Sequence, residues 1–254
     1  MSGPRERERK VFGLNAVRAL AACRPEDVLR LYVTPERVKE CGALLKACAA
    51  RRRPYRIVPE DEMARVSGSD HHEGVCAVAR RREVLSLAEF RARIPDSPDP
   101  VLVALLHDVR NPHNLGAILR TAAHFGASVV LTGRSGGAEV SGAACRLAEG
   151  GAEHVLLARE ADPLAVVTAL RSREVAVYAT AVGKAKPVHE VALSPRAAFL
   201  FGAEEEGLPR ALLAAADAAV TIPGSGAVES LNVSCAVAVV LADARRRHPL
   251  ASRP

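Results

Sequence analysis

The sequence predicts an α/β fold built around a mostly parallel sheet, preceded by a smaller α/β unit. Three observations support this prediction. Nearly half of the 254 residues are hydrophobic (49%), which is enough for a large core. Short apolar runs alternate with helical patterns, as is typical of parallel sheets covered by helices. The Pro/Asp/Ser-rich segment 93–100 cannot continue a helix or a central strand, and it separates two such blocks.

The N-terminal block is the smaller of the two. Its apolar periodicity predicts, in order, a helix at Ala16–Ala22, a strand at Val28–Val33, a helix at Pro35–Ala50, and strands at Tyr55–Val58 and Gly74–Ala79. This alternation indicates a compact α/β unit.

The C-terminal block alternates more regularly. Apolar runs predict strands at Val101–Leu106, Ser128–Leu131, His154–Leu157, Val175–Thr180, Ala198–Phe201 and Ala218–Ile222. Helical patterns follow at Asn114–Phe125, Pro163–Arg171, Pro209–Ala215 and Ser230–Arg246. Ligands of such sheets bind beyond the carboxyl ends of the strands, so the loops after the strands are expected to carry the chemistry.

Positive charge is concentrated near the N-terminus. Residues 1–95 carry 20 Lys+Arg against 13 Asp+Glu, whereas residues 96–254 carry 15 against 16. The basic excess includes the clusters Arg51–Arg53 and Arg80–Arg82. Lys and Arg attract polyanions, so a nucleic-acid partner is predicted, although charge alone also allows a solvated arginine-rich surface.

Composition argues against several classes of protein. The longest apolar stretches, such as Val101–Leu106 and Cys235–Ala242, are far shorter than the roughly 20 residues of a membrane span. The charged first ten residues do not resemble a signal peptide, so we expect a cytoplasmic protein without membrane contact. The six cysteines form neither a C-x-x-C pair nor a zinc-finger pattern, which predicts buried reduced thiols and no metal site.

Three segments place polar residues directly after predicted strands. In the first, residues 108–122, the loop D-V-R-N-P-H-N leads into an amphipathic helix with Asn114 at a natural N-cap position. Arg120 lies nearly two turns further on and shares its side of the helix only approximately. A plain cap and a solvated arginine are the alternative interpretations of these two residues.

The other two segments are rich in glycine. Residues 199–208 end a strand in G-x-E-x-x-G, where glycine lets the backbone approach a ligand closely. A solvated acidic loop is the alternative. Residues 222–234, with the sequence I-P-G-S-G-A-V-E-S-L-N-V-S, lead from a strand into a helix whose free N–H groups can meet a ligand.

Taken in order, the three segments resemble the signature motifs of the SpoU (TrmH-like) family of RNA 2'-O-ribose methyltransferases in the SPOUT superfamily. The matching strings are N-P-H-N-L-G-A-I-L-R-T, G-A-E-x-E-G and I-P-x-x-G-x-x-E-S-L-N-V-S. V-F-G-L-N-A-V and H-E-G-V, at residues 11–17 and 72–75, resemble the family's substrate-binding domain. The resemblance thus covers almost the whole chain and is closest to the rRNA guanosine methyltransferases. One departure is Gly224, where many relatives have Met.

The resemblance implies a fold, a cofactor and partners. Residues 1–80 would form an α/β/α RNA-binding domain, residues 81–98 a linker, and residues 99–254 a catalytic domain with a deep trefoil knot. General topology rules would not predict that knot. Family members bind S-adenosyl-L-methionine in the knot and form homodimers in which each site is completed near the partner subunit. The expected reaction is methyl transfer to a ribose 2'-hydroxyl of structured RNA, with rRNA favoured over tRNA.

The resemblance also implies site residues. The cofactor would contact Thr180, Gly202, Gly207, Ile222, Ser230 and Leu231. The expected catalytic residues are Asn114, Arg120, Glu204, Ser230 and Asn232.

The chemistry of the reaction suggests how these residues act. A ribose hydroxyl has a pKa far above neutrality, so its developing negative charge must be stabilised. We expect Arg120 to hold the nascent alkoxide, because a guanidinium does not readily deprotonate. Water or a phosphate oxygen would take the proton, and Glu204 would orient Arg120. Glu204 as the base is the alternative.

Two functions of other classes compete with this one. A non-catalytic RNA-binding or ribosome-assembly factor would not need the retained polar motif residues. A dinucleotide-dependent enzyme would need a G-x-G-x-x-G turn after its first strand, which this sequence lacks. With only 3% aromatic residues, RNA recognition is expected to depend more on shape and phosphate contacts than on base stacking.

Overall fold

A computed structural model describes residues 8–133, 139–183, 185–203 and 206–250. The chain divides into two compact units. The first comprises residues 1–83 together with 140–154, and the second comprises residues 84–139 together with 155–254. In the described ranges, no helix combines the length and hydropathy needed to cross a membrane.

The helices and strands follow one another along the chain in a largely alternating order. They are β1 (Glu8–Phe12), α1 (Leu14–Cys23), β2 (Val28–Val33), α2 (Gly42–Ala50), β3 (Tyr55–Ile57), α3 (Glu60–Ser67), β4 (Val75–Arg80), α4 (Leu87–Arg93), β5 (Val101–His107), α5 (Pro112–Phe125), β6 (Ser128–Thr132), α6 (Gly142–Leu147), α7 (Gly151–His154), β7 (Leu157–Glu160), α8 (Pro163–Arg171), β8 (Ala176–Thr180), β9 (Lys186–Pro187), β10 (Arg196–Phe201), α9 (Arg210–Ala215), β11 (Ala218–Thr221) and α10 (Val233–Arg247).

The first unit is built on a four-stranded sheet in the order β1-β4-β2-β3. Strand β4 pairs antiparallel with both β1 and β2, whereas β3 pairs parallel with β2 and forms an edge. Helix α3 packs through Met63 against a small core that contains Phe12, Val58 and Cys76. The helix predicted over Pro35–Ala50 is split in two, because Pro35–Arg37 forms a 3-10 turn and α2 begins only at Gly42.

Residues 140–154 belong to the first unit although they lie between β6 and β7 in the chain. Helix α6 packs on β1, and α7 packs on α1. At Gly142 an added Cβ would lie 2.5 Å from the Phe12 ring, so glycine permits the close approach of α6 to β1. The Arg24 guanidinium donates from Nε and Nη2 to the two carboxylate oxygens of Glu153, at 2.8 and 3.0 Å. This largely buried fork fixes α7 to the end of α1.

Four of the six cysteines are buried, as predicted, and all six are free thiols. Burial raises the pKa of Cys76 to about 12 and that of Cys145 to about 11, so both stay protonated at neutral pH. The prediction was wrong for Cys23 and Cys235, which are exposed.

The second unit contains a seven-stranded sheet in the order β7-β6-β5-β10-β8-β11-β9. All of its registered strand pairs are parallel. Strand β10 is buried along its whole length and β5 everywhere except at its two ends. Helices that cover both faces of a parallel sheet explain why these strands are nearly continuous apolar runs. The α/β class with a mostly parallel sheet is therefore confirmed.

Helix α4 lies inside the segment predicted as a linker. Ser86 forms a capping box with Glu89: the Ser86 Oγ accepts from the Glu89 N–H, and the Glu89 carboxylate accepts from the Ser86 N–H at 2.8 Å. Phe90 and Ile94 are buried in the main core of the second unit. Residues 84–98 therefore contribute to this unit, because two apolar side chains one turn apart give the short helix a face to bury.

Candidate active site

The three motif segments follow strands that are neighbours in the sheet. Strands β5, β10, β8 and β11 lie side by side in that order and run parallel. Their carboxyl ends therefore meet at one edge of the sheet, which is where ligands of such sheets bind. The first motif segment follows β5, the second follows β10 and the third follows β11.

The start of α5 differs from the prediction. The N-cap is Asn111, whose Oδ1 accepts from the His113 N–H at 2.9 Å, and Pro112 occupies the first helical position. The prediction of Asn114 as the N-cap was therefore wrong, because the proline at 112 already sets the helical φ angle two residues earlier. Asn114 lies within the first turn and is buried, with 9% of its surface exposed.

Asn114 contacts the third motif. The Asn232 Nδ2 donates to the Asn114 Oδ1 at 3.0 Å, across 118 residues of sequence. Asn232 is also the N-cap of α10, since its Oδ1 accepts from the Ser234 N–H at 2.9 Å. One amide thus caps a helix and orients a second, buried amide. The structure brings these two predicted catalytic residues together.

The helices that carry these asparagines pack against each other. Near the far end of α10, the Arg245 Nε donates to the Phe125 carbonyl at 2.8 Å, and its Nη2 donates to the Gly126 carbonyl at 3.4 Å. A cation at the carboxyl end of a helix satisfies carbonyls that lack helical partners and opposes the helix dipole. Arg245 therefore fixes α10 along α5 and so supports the contact between Asn114 and Asn232.

Three predicted cofactor residues lie at the ends of adjacent strands. Thr180 ends β8, and its Oγ1 donates to the Leu200 carbonyl of β10 at 2.7 Å. Gly202 directly follows β10, and Ile222 directly follows β11. The Gly207 N–H donates to the Ala203 carbonyl at 2.9 Å, so these two described residues of the second motif lie close together. An added Cβ on Gly202 would lie only 2.2 Å from the Gly207 carbonyl carbon, so this close approach requires glycine at position 202.

The remaining predicted site residues are on the surface or outside the described ranges. Ser230 and Leu231 are exposed in the loop before α10, and 47% of the Leu231 surface is accessible. Arg120 is exposed on α5, roughly 120° around the helix axis from Asn114. Within a single chain, Arg120 and Asn114 therefore lie on different sides of α5. Glu204 lies outside the described residues.

Sequence reasoning missed a polar cluster at the end of β5. The His107 Nδ1 lies 3.2 Å from the Thr132 Oγ1, and the His107 Nε2 lies 3.6 Å from the Asp108 carboxylate. Asp108 adopts a left-handed φ of 53°, and its carboxylate lies against Gly133, where a Cβ would come within 2.3 Å of it. The signal was the H-D pair at positions 107 and 108, where β5 ends. The described part of the chain contains no cluster of His, Cys, Asp and Glu that could hold a metal ion.

Comparison with known proteins matches both blocks of the chain. The sequence profile of the SpoU rRNA Methylase family matches residues 101–242. A second profile, described as RNA 2'-O ribose methyltransferase substrate binding, matches residues 10–85. Two solved structures are similar over most of the chain. One is an AdoMet-bound rRNA methyltransferase from Sinorhizobium meliloti, with 26% identity, a TM-score of 0.77, and coverage of 96% of this chain and 88% of that one. The other is an RNA 2'-O ribose methyltransferase, with 26% identity, a TM-score of 0.78, and coverage of 97% and 91%.

Curated relatives align along nearly the full length. The uncharacterized tRNA/rRNA methyltransferase YfiF of Escherichia coli O157:H7 is 37% identical over 94% of this chain and 68% of its own length. The 23S rRNA (guanosine-2'-O-)-methyltransferase RlmB of Acinetobacter baylyi is 31% identical over 93% of this chain and 96% of its own length. The family profile covers more than half of the chain, and the alignment with YfiF extends over 94% of it. The chain therefore belongs to the SpoU rRNA methylase family.

Proposed function

We propose that this protein transfers a methyl group from S-adenosyl-L-methionine to a ribose 2'-hydroxyl of structured RNA, with ribosomal RNA as the substrate. The observation that carries the proposal is the meeting of the three motif segments at one edge of the parallel sheet. The names of the relatives support the substrate class, since RlmB proteins are named for 2'-O-methylation of guanosine in 23S rRNA. We accordingly favour a guanosine of 23S rRNA as the target. A tRNA substrate is the alternative.

The residues at this edge suit the cofactor. The ends of β8, β10 and β11 present backbone groups, and Gly202 and Gly207 carry no side chain where their backbones approach each other. The exposed Leu231 offers apolar surface to an adenine ring. When bound, S-adenosyl-L-methionine supplies a methyl group that its sulfonium charge already activates.

The motif residues have distinct roles in this proposal. The Asn114–Asn232 pair fixes the start of α5 relative to α10 and so positions the hydroxyl that is to be methylated. Arg120 stabilises the negative charge that develops on the ribose oxygen, and Glu204 orients the guanidinium. Ser230 contributes a hydroxyl next to the cofactor. Alignment of the reacting atoms is then a large share of the catalysis.

We assign the catalytic role to residues 99–254 and RNA substrate binding to residues 1–80. The trefoil knot that the family resemblance implies belongs, in this proposal, to the catalytic part. The match of the substrate-binding profile to residues 10–85 supports the second assignment.

Mapping of 2'-O-methyl groups in RNA tests the proposed function directly. RNA from cells that carry the gene is compared with RNA from cells that lack it. We expect one ribose in 23S rRNA to lose its methylation in the deletion, and the purified full-length protein to restore it with S-adenosyl-L-methionine. Loss of a methyl group from tRNA instead would show that tRNA, and not rRNA, is the substrate. If no methyl group were lost and the protein transferred none, the non-catalytic RNA-binding alternative would replace the enzyme.

We also propose that the protein acts as a homodimer through the outer face of α10. Cys235 and Val239 are four residues apart on α10, so they share one side of the helix, and both are exposed. An apolar stripe on a helix is normally covered, and a second copy of this chain would cover it with the same stripe. Because α5 packs beside α10, a dimer formed this way brings exposed Arg120 near the partner.

Charge on this stripe is expected to break the dimer. Val239→Glu should weaken dimerisation at least about 10-fold in sedimentation equilibrium, because the carboxylate would be buried without a partner. Leu164→Glu on α8 is the matched control, since Leu164 is 41% exposed and Val239 is 42% exposed. Equal dissociation constants for the two variants would exclude α10 from the interface.

A further inference from the structure

One surface of the first unit combines cations with exposed apolar side chains. It is formed by residues 51–57, which we call the Arg51–Ile57 ribbon, and comprises the turn after α2 and the edge strand β3. Six of its seven residues are exposed, and Arg53 is half-buried. The sequence R-R-R-P-Y-R-I therefore faces solvent almost without interruption.

The charged residues of the ribbon are all positive. Residues 41–59 contain five Lys or Arg and no Asp or Glu. Within the ranges that the structure describes, Arg51 and Arg52 form no ion pair, whereas Arg56 pairs with Glu62 at 3.1 Å. Unneutralised arginines on a surface create a positive potential that attracts phosphates.

The turn that carries these arginines is ordered by hydrogen bonds. The Arg52 N–H donates to the Ala49 carbonyl at 3.0 Å, and the Arg53 N–H donates to the Cys48 carbonyl at 2.8 Å. The Arg53 Nη2 donates to the Glu26 carbonyl at 3.0 Å. The backbone therefore presents the guanidinium groups of residues 51 and 52 from a fixed base, which lowers the entropy lost on binding.

Apolar surface lies directly beside the cations. Tyr55 is 45% exposed and Ile57 is 53% exposed, and both belong to an edge strand with no further strand beside it in the described sheet. Alternate residues of a strand point to the same side, so the two side chains share one face. An aromatic ring beside arginines is the combination that binds unpaired nucleotides, by base stacking together with phosphate contacts.

We infer that the Arg51–Ile57 ribbon contacts the RNA substrate, with Arg51 and Arg52 on phosphates and Tyr55 against an unpaired base. The inference rests on the proposed function and adds to it the surface of the first unit that meets RNA. Its position on an edge strand leaves the ribbon accessible to a strand or loop of RNA.

The double variant Arg51→Gln/Arg52→Asn of the full-length chain tests the phosphate contacts. Asn suits position 52, where φ is 53°, because it tolerates the left-handed conformation. Retention of a radiolabelled, protein-free bacterial 23S rRNA transcript on nitrocellulose filters measures binding over a range of KCl concentrations. We expect about 10-fold weaker binding and a salt slope smaller by about 1.5, because each lost phosphate contact removes roughly 0.7 to 0.9 of slope.

Matched variants separate this surface from general effects of charge. Arg30→Gln/Arg65→Gln removes the same charge from the same unit, but both arginines pair with carboxylates, so we expect the parent salt slope. Tyr55→Ala should weaken binding about 10-fold without changing the slope, and Tyr55→Phe should keep parent affinity. If Arg51→Gln/Arg52→Asn and its control had equal salt slopes, the inference would be overturned.

The outcome of this RNA-binding test can be told apart from the outcome of the methylation test of the proposed function. Calorimetric binding of S-adenosyl-L-methionine to the double variant should equal that of the parent protein. If the parent methylates RNA and the double variant binds RNA with the parent slope, only the ribbon is rejected. If no methylation is found but the double variant loses RNA affinity, the ribbon is retained and the enzymatic proposal fails.

Discussion

Arg120→Ala is expected to slow single-turnover methyl transfer about 10²- to 10³-fold while affinity for S-adenosyl-L-methionine stays unchanged. The size of the effect is that of losing one donor to a developing oxyanion. Cofactor affinity is expected to persist, because the cofactor residues belong to the ends of β8, β10 and β11 and not to α5. Single-turnover assays at saturating cofactor and RNA isolate the transfer step from binding.

The surroundings of Arg120 make this test selective for catalysis. The side chain is exposed on α5 and, within the described residues, forms no hydrogen bond or ion pair. Truncation should therefore change the free energy of unfolding by less than about 0.5 kcal/mol. Arg120→Lys keeps the charge but loses the planar fork, so it should restore activity only in part if two acceptors are held at once.

An exposed arginine in the same unit provides the control. Arg171 on α8 is 47% exposed and pairs with Asp217. Arg171→Ala removes the same side chain and should transfer methyl groups at the parent rate. A parent-like rate for Arg120→Ala would reject its catalytic role and direct attention to Glu204.

The strands of the second unit were predictable because burial on both faces imposes continuous apolar runs. The runs Val101–Leu106, Ser128–Leu131 and Ala218–Ile222 each lie within one residue of an observed strand. Helix α4 was not predicted, because the Pro-rich segment that follows it suggested a linker. Its local signal was the S-x-x-E capping box at Ser86 and Glu89. The strand predicted at His154–Leu157 is displaced to Leu157–Glu160, since His154 ends α7.

Pairing between residues distant in the sequence could not be predicted from local sequence patterns. Strand order cannot be obtained from alternation, so neither the adjacency of β10, β8 and β11 nor the contact between Asn114 and Asn232 followed from the sequence. The membership of residues 140–154 in the first unit likewise depends on distant contacts such as the Arg24–Glu153 fork. A fragment cut near residue 98 would leave Glu153 without Arg24. For this reason the tests of both units use the full-length chain.

Arg196 shows how the second unit holds the Pro-rich segment. Its guanidinium, at the first residue of β10, is buried with 8% of the residue exposed. Nη1 donates to the Ser97 carbonyl at 2.7 Å and to the Asp99 carbonyl at 3.3 Å. Nη2 donates to the Pro95 carbonyl at 2.9 Å and to the Arg173 carbonyl at 2.8 Å. A single cation thus satisfies four carbonyls, three of them in a segment that has no regular secondary structure.

Arg196→Met is expected to lower the free energy of unfolding by about 2 to 4 kcal/mol. The variant keeps the apolar stem but loses several charge-assisted hydrogen bonds, while water can return to the exposed carbonyls of residues 95–99 and offset part of the cost. Urea denaturation followed by far-ultraviolet circular dichroism measures the change. Arg65→Met is the control, because Arg65 and Asp61 form an exposed pair that should contribute less than about 0.5 kcal/mol. Equal stability of the two variants would mean that water replaces the guanidinium fully, and that β10 does not depend on Arg196 to hold the Pro-rich segment.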